Sequence, residues 1–127
     1  EIKIKNAKKH RLKNTFYKKI DVNNEESIKK SFSNLRKKFD IIIDDSTHIF
    51  EHQIKLIKNL HPFLNSNGIL IIEDIYKKRI KYSEKNYFNN LRSVKNKFKK
   101  IYFVEFHNLN NYSASWNNEK LLILIKK

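Results

Sequence analysis

The chain contains no cysteine and no methionine, and it has one glycine, Gly68, and one proline, Pro62. Without cysteine, a disulfide framework and a thiolate metal site are both excluded. A single glycine is too little for the glycine-rich loops that cradle phosphates or dinucleotides. Because methionine is absent, the sequence does not begin at a start codon, and we expect a chain that lacks its first part.

Long apolar runs are also missing from the sequence. None approaches the roughly 20 residues that a helix needs to cross a bilayer. The first residues, beginning with Glu1, lack the apolar segment of a signal peptide. A length of 127 residues is enough for one domain with one core. We therefore expect a single cytoplasmic domain.

The charge balance is strongly basic, with a formal net charge of +15. A basic surface favours nucleic acid or another anionic polymer as a partner. Arginine is the side chain best suited to bidentate phosphate and base recognition, and lysine dominates here. The lysines are spread over almost every segment, so we interpret most of them as surface charge. A non-catalytic basic module that binds anionic polymers remains the alternative. The four arginines are Arg11, Arg36, Arg79 and Arg92.

Apolar periodicity predicts alternating strands and helices along the chain, which indicates an α/β fold with a parallel sheet. The last two strands have no helix between them, so we expect an antiparallel pair. Two continuous apolar runs, FDIII and ILII, are typical of strands buried on both faces. The expected architecture is a Rossmann-like sheet with helices on both faces. The predicted strands are Thr15–Ile20, Phe39–Ile43, Ile69–Ile72, Ile101–Phe106 and Leu121–Ile125. The predicted helices are Glu25–Lys38, a second helix that follows a cap at Ser46 or Thr47 and ends near Pro62, and Glu84–Lys97.

Acidic residues follow three of the predicted strands: Asp21, then Asp44 and Asp45, then Glu73 and Asp74. The carboxyl ends of parallel strands meet at one edge of a sheet, where ligands bind. Neighbouring parallel strands lie about 4.8 Å apart. If the second and third predicted strands are neighbours, their carboxylates can converge on a hard cation such as Mg²⁺. Acids at strand ends also serve ordinary turns, which is the structural alternative.

His48 follows Asp45 by three residues, and we expect it in the first turn of a helix capped by Ser46 or Thr47. There it could accept a proton from a bound hydroxyl, or simply hydrogen bond to a nearby carboxylate. His48, Glu51 and His52 also spell the H-x-x-E-H pattern of inverted zinc peptidases. A strand and two aspartates directly before His48 disfavour that interpretation.

The segment FDIIIDDSTHIFEH, followed by LHPFLNSNGILIIEDI, resembles class I S-adenosylmethionine-dependent methyltransferases. Within them it is most similar to the macrocin and mycinamicin sugar O-methyltransferase group. The resemblance extends over about Phe16 to Lys127, and its specific part is Phe39 to Ile75. It implies that residues 1–127 are the C-terminal portion of a single methyltransferase domain, with the first strand or strands missing.

The resemblance implies a divalent metal, Mg²⁺ by preference, held by Asp44 or Asp45 together with Glu73 and Asp74. His48 would be the base that deprotonates the acceptor oxygen of a sugar or another small hydroxylated substrate. The oxygen would then attack the sulfonium methyl group in line.

The same resemblance implies S-adenosylmethionine as cofactor, with Glu1, Asp21, Val22 and Asp44 as the residues that contact it. Glu1 would bind the ribose hydroxyls, and Asp21 would lie near the adenine. Three aromatic residues could line a sugar pocket by stacking, or could simply pack in the core. They are Tyr76, Tyr112 and Trp116.

Overall fold

The structure is a computed structural model that describes residues 15, 17–35, 37–106 and 120–127. No helix among these residues is long and apolar enough to cross a membrane. The elements, in chain order, are α1 (Glu25–Ser33), β1 (Phe39–Asp44), α2 (Phe50–Leu60), β2 (Leu64–Ile72), α3 (Glu84–Asn90), β3 (Phe98–Glu105) and β4 (Lys120–Lys126), with single 3₁₀ turns at His61–Phe63, Ile80–Tyr82 and Lys95–Lys97.

The four strands form one mixed sheet in the order β1-β2-β4-β3. β1 and β2 are parallel, and β3 and β4 are antiparallel, as the sequence predicted. β4 lies between β2 and β3, so it also pairs with β2, and this pairing is antiparallel. β4 therefore lies beside the strand that Glu73 and Asp74 follow.

Two predicted elements differ from the structure near the start of the described chain. The described residues of the predicted strand Thr15–Ile20 are not in a strand. A strand requires a hydrogen-bonded neighbour, and β1 pairs only with β2 in the described residues. Ile20, at the end of this predicted strand, packs against the core as a partly buried side chain.

The predicted helix Glu25–Lys38 is shorter in the structure, where it ends at Ser33.

The third predicted helix, Glu84–Lys97, is also shorter than expected. α3 ends at Asn90, and the chain continues through a turn and a 3₁₀ turn into β3. The apolar spacing still serves packing, since Tyr87 and Leu91 are fully buried. The apolar pattern therefore predicted burial correctly and the length of the helix incorrectly.

The core lies on one face of the sheet, which we call the inner face. Side chains alternate between faces along a strand, so strand register divides the sheet residues into two sets. Buried residues of all three helices join the inner-face residues in one apolar cluster. The apolar inner-face residues are Ile42, Leu70, Ile72, Ile101, Phe103, Leu122 and Leu124, and Asp44 lies on the same face.

The opposite, outer face is apolar but far less buried among the described residues. Ile41 and Ile43 keep 57% and 56% of their surface exposed. The expectation that β1 is buried on both faces is therefore wrong for this face. Its other apolar residues are half-buried or exposed, namely Ile69, Ile71, Tyr102, Val104, Leu121, Ile123 and Ile125.

The segment 65–68 lies inside β2 as an irregularity of the strand. Phe39 pairs with Leu64, whereas Ile41 pairs with Ile69, so β2 has extra residues at this point. A Cβ atom on Gly68 would lie 2.9 Å from the carbonyl oxygen of Asn65 and 3.0 Å from that of Phe39. The only glycine of the chain thus lies where two backbone segments approach too closely for a side chain.

We expect Gly68→Ala to lower the free energy of unfolding by about 1–3 kcal/mol, because the added methyl group meets backbone atoms that cannot move aside easily. Ser66→Ala, at an exposed position of the same irregularity, is the matched control and should change stability by about 0.5 kcal/mol or less. Urea unfolding of the three proteins measures both effects. Equal stability of Gly68→Ala and Ser66→Ala would contradict the close approach.

Candidate functional site

The site lies at the carboxyl ends of β1 and β2. Asp44 and Ile72 are partners in the parallel register. Beyond that pair, the backbone N–H of Glu73 donates a hydrogen bond to the carbonyl oxygen of Asp44 at 3.0 Å. The two acidic strand ends therefore lie side by side, at the edge where open α/β sheets bind ligands.

Asp45, His48 and Asp74 form a three-residue group whose ligand atoms all lie within 4.8 Å of one another. The Nε2 atom of His48 lies 3.5 Å from Oδ2 of Asp74 and 3.9 Å from Oδ1 of Asp45. The side chains of Asp45, His48 and Asp74 are 66%, 30% and 38% exposed, respectively, so solvent and a ligand can reach them. Two carboxylates and an imidazole nitrogen are together a possible donor set for a divalent cation.

Two residues of this group have an unusual backbone conformation. The φ angles are 55° at His48 and 52° at Asp74. Residues other than glycine rarely adopt this left-handed region, and doing so costs on the order of 1 kcal/mol or more. The directions of the His48 and Asp74 side chains are thus set by strained backbone, at one residue in each of the two loops of the site.

Asp44 lies outside the three-residue group. As the last residue of β1, it follows the alternation of the strand onto the inner face. Its Oδ1 atom accepts a hydrogen bond from the Ser46 hydroxyl at 2.6 Å. Burial raises the pKa of the Asp44 carboxyl, and the bond from Ser46 opposes that shift in part. Glu73 also lies outside the group, although its backbone joins the two strand ends.

The loop between β1 and α2 differs from the sequence expectation. His48 precedes the helix instead of lying in its first turn, and the N-cap residue makes no side-chain hydrogen bond. Ser46 and Thr47 do not cap the helix, because their hydroxyls have other partners. Ser46 bonds to Asp44, and Oγ1 of Thr47 lies 2.9 Å from Nδ1 of His52.

The H-x-x-E-H pattern does not assemble into a zinc site. Glu51 forms an ion pair with Lys81 at 2.6 Å, and His52 contacts Thr47. Neither residue belongs to the ligand group around His48, the only such group among the described residues. The zinc peptidase alternative therefore has no geometric support.

Tyr82 is a residue of the site that the sequence did not indicate. Its hydroxyl donates a hydrogen bond to the backbone carbonyl of His48 at 2.9 Å and accepts one from the backbone N–H of Phe50 at 3.3 Å. Its ring packs edge-to-face against Phe50 and Tyr76, with centroid distances of 5.8 and 5.1 Å. The one available signal was an aromatic residue in an otherwise lysine-rich connection.

Gln53 is a second residue that sequence reasoning missed. It is 1% exposed, and its Nε2 atom donates a hydrogen bond to the carbonyl oxygen of Glu73 at 3.1 Å. The hydroxyl of Tyr87 donates to its Oε1 atom, and burial raises the pKa of this Tyr87 hydroxyl. α2 and α3 thus hold the end of β2 through a buried polar chain.

The predicted cofactor residues are only partly brought together. Asp21 is exposed in a turn, where its Oδ1 atom accepts a hydrogen bond from the N–H of Asn23 at 2.9 Å. Val22 and Asp44 line one cavity of about 140 Å³. Ligand pockets are commonly about 300–1,000 Å³, so this cavity is small for a nucleoside cofactor. Glu1 lies outside the described residues.

The predicted aromatic pocket is equally incomplete. Tyr76 packs against Tyr82, and the guanidinium of Arg79 lies 3.8 Å from the centroid of the Tyr76 ring. Tyr76 is therefore engaged in packing. Tyr112 and Trp116 lie outside the described residues.

No protein-family model and no curated protein matches the chain. Among solved structures, the chain is similar to the MycE methyltransferase from the mycinamycin biosynthetic pathway in complex with Mg, SAH and mycinamycin VI. That match has a TM-score of 0.57 and 18% sequence identity, and it covers 84% of this chain and 30% of the MycE chain. A second MycE structure, with Mg and SAH, gives a TM-score of 0.51 at 18% identity over 84% of this chain and 31% of MycE.

These likenesses establish the fold of the chain. It is a Rossmann-like α/β fold like that of the MycE methyltransferase, as the sequence resemblance implied. The antiparallel pair at its C-terminus agrees with the expectation from the order of the predicted elements. The chain spans less than one third of the length of the MycE structures that it matches.

We expect Asp44→Asn to stabilise the protein at neutral pH and to lose this advantage in acid. Because burial raises the folded-state pKa of Asp44, its protonated form favours the fold. That contribution is complete below the unfolded pKa, near 3.8, and is lost as the pH rises through the higher folded pKa. The amide of asparagine can still accept the Ser46 bond.

Thermal unfolding of parent and variant from about pH 3 to pH 8 measures the difference. Asp40→Asn, at an exposed position of the same strand, is the control for the loss of one negative charge. A stability difference that does not change with pH would contradict the role of burial at Asp44.

Proposed function

We propose that this chain is the C-terminal portion of an S-adenosylmethionine-dependent O-methyltransferase domain that acts with a divalent metal on a sugar or another small hydroxylated substrate. The observation that carries the proposal is the group of Asp45, His48 and Asp74 at the carboxyl edge of a methyltransferase-like sheet. The MycE structures contain Mg and SAH, which agrees with the proposal. We also place the protein in the cytoplasm.

The donor set is compatible with a hard divalent cation. Asp45 and Asp74 offer carboxylate oxygens from two different loops, and both are accessible to solvent. Mg²⁺ is usually held by one or two carboxylates and keeps its other positions for water and substrate oxygens. When bound, such a cation would orient the substrate hydroxyls and make them more acidic. Asp44 and Glu73 are the further ligands that the resemblance implies.

His48 is the proposed general base. Its Nε2 atom faces the two carboxylates, within reach of a hydroxyl held between them. The proton of the acceptor hydroxyl would pass to His48, and the oxygen would form its new bond to the methyl carbon. The bond from that carbon to the sulfonium sulfur would break, and its electron pair would stay on sulfur. The cofactor pocket is incomplete among the described residues, so methyl-donor binding by the whole protein is part of the proposal.

We expect the chain to bind Mn²⁺, used as a paramagnetic substitute for Mg²⁺, at this group. Asp45→Asn and Asp74→Asn should each weaken Mn²⁺ binding roughly tenfold or more, because each removes a charged oxygen ligand. His48→Ala should keep most of the affinity, because a base is not a metal ligand. Electron paramagnetic resonance titration of free Mn²⁺ measures all four proteins, and circular dichroism confirms that each variant is folded.

The longer protein that contains this chain extends the test to catalysis. There, Asp45→Asn and His48→Ala should abolish methyl transfer while calorimetry still detects S-adenosylmethionine binding. Loss of Mn²⁺ affinity in His48→Ala would make His48 a ligand instead of a base. Failure of the longer protein to bind S-adenosylmethionine would contradict the proposed function.

A cluster of basic side chains supports the second candidate function, binding of anionic polymers. The cluster lies at the sheet edge opposite the candidate site. Lys38 and Lys97 directly precede β1 and β3, His61 lies shortly before β2, and Lys126 ends β4. Nζ of Lys126 lies 3.3 Å from Nδ1 of His61. Burial, followed by the charges of Lys97 and Lys38, lowers the pKa of Lys126. Like charges gathered in this way favour an anion.

If this surface binds polymers, a fluorescent single-stranded oligonucleotide should bind with an affinity that falls steeply with salt concentration. Lys97→Gln with Lys126→Gln should lower both the affinity and the salt slope, because two phosphate contacts are lost. The control is Lys29→Gln with Lys85→Gln, which removes two exposed lysines elsewhere. Equal losses in the two double variants would indicate diffuse charge and would contradict a localised binding surface.

A further inference from the structure

The ring of His48 lacks the contact that usually orients a functional histidine. Histidines at metal sites commonly donate their second ring nitrogen to a carboxylate or carbonyl, which sets the direction of the ring. Nδ1 of His48 is buried and has no hydrogen-bond partner among the described residues. Nε2 faces the carboxylates of Asp45 and Asp74, at distances of 3.9 and 3.5 Å. Something other than a ring hydrogen bond must therefore direct this side chain.

The backbone of His48 is the next place where orientation can be imposed. Its φ angle of 55° is in the left-handed region, where a residue with a side chain stays only if its surroundings hold it. The carbonyl of His48 has a hydrogen-bond donor in the Tyr82 hydroxyl, 2.9 Å away and 34 residues later in the chain. The contact is long-range and lies next to the strained peptide.

The Tyr82 hydroxyl makes a second contact that limits the movement of the loop. It accepts a hydrogen bond from the N–H of Phe50, the first residue of α2. The N-cap residue of this helix makes no side-chain hydrogen bond to the first turn, so the Tyr82 hydroxyl takes the place of a cap. One oxygen atom thus joins the last part of the loop to the start of the helix.

Packing in the core holds the Tyr82 side chain in place. It is 7% exposed, and its ring is held between the rings of Phe50 and Tyr76. It belongs to the 3₁₀ turn Ile80–Tyr82, in the connection that follows Asp74. Tyr82 therefore links the loop that carries Asp45 and His48 to the segment that carries Asp74.

We propose that Tyr82 is a positioning residue: its hydroxyl holds the His48 backbone in the left-handed conformation and so directs the imidazole toward Asp45 and Asp74. This inference rests on the proposed function for the meaning of that direction. Phenylalanine at position 82 keeps the ring packing and removes only the two hydrogen bonds. The ring of His48 should then adopt more than one orientation, and the carboxylates of Asp45 and Asp74 should no longer be held close to each other.

The test compares Tyr82→Phe with Tyr76→Phe in the whole chain. Tyr76→Phe is the matched control, because it removes a hydroxyl from the adjoining ring that has no hydrogen bond within the described part of the chain. Imidazole ¹⁵N–¹H correlation spectra of the metal-free proteins report the His48 ring, assigned by His48→Ala. Mn²⁺ titration reports how strongly the two acidic loops together bind a cation.

We expect Tyr82→Phe to shift or broaden the His48 signals and to weaken Mn²⁺ binding up to roughly tenfold, because the loop that is released also carries the proposed metal ligand Asp45. Tyr76→Phe should keep the parent spectrum and affinity. If Tyr82→Phe lowers stability, the spectra are recorded well below its melting temperature, so that the folded population alone is compared.

The outcomes separate this inference from the proposed function. Parent-like His48 signals in Tyr82→Phe, together with parent Mn²⁺ affinity, would overturn the positioning role. A parent chain that binds no Mn²⁺ would contradict the metal site, while the metal-free spectra would still decide whether Tyr82 directs His48. Equal spectral changes in Tyr76→Phe would attribute the effect to ring packing and would also overturn the role of the hydroxyl.

Discussion

The parallel pairing of β1 with β2 is the interaction on which the candidate site depends. In this register Asp44 is the partner of Ile72, and the Glu73 N–H donates a hydrogen bond to the Asp44 carbonyl. The loops that follow the two strands therefore begin side by side at the same edge of the sheet. A shift of one residue would turn every side chain of a strand to the other face. Buried residues on the inner face of both strands, such as Ile42 and Leu70, oppose such a shift because it would expose them.

Buried polar side chains complete what strand pairing begins. Gln53 holds the carbonyl of Glu73 from α2, and Tyr82 holds the carbonyl of His48 from the connection after β2. Both residues are buried, so leaving their partners without a hydrogen bond would cost about 1–3 kcal/mol. The two loops therefore carry exposed charged groups on backbone that the core holds in place. Exposed charge on a rigid support is the arrangement that cation binding requires.

Much of the fold could be predicted because the strongest signals in the sequence are local. The run of apolar residues in β1 and the helical spacing of α2 each correspond to an observed element, and the predicted antiparallel pairing of the last two strands is observed between β3 and β4. The predictions failed where an element depends on distant neighbours. Residues 17–20 have strand character and no strand partner, and the outer face of β1 is apolar but exposed. The insertion of β4 between β2 and β3 likewise depends on pairing across the chain, which no local pattern contains.

The sequence by itself determined that acidic residues follow two consecutive predicted strands and that a histidine lies three residues after the first pair. Strand alternation, a local property, also places Asp44 on the same face of β1 as Ile42, and burial in the structure identifies that face as the inner one. Only the tertiary structure decided that Asp45, His48 and Asp74 meet, and that His48 lies outside the helix in a left-handed conformation. The reason is that this conformation and the Tyr82 contact depend on residues 34 positions apart, whose proximity arises only when the sheet and helices pack together.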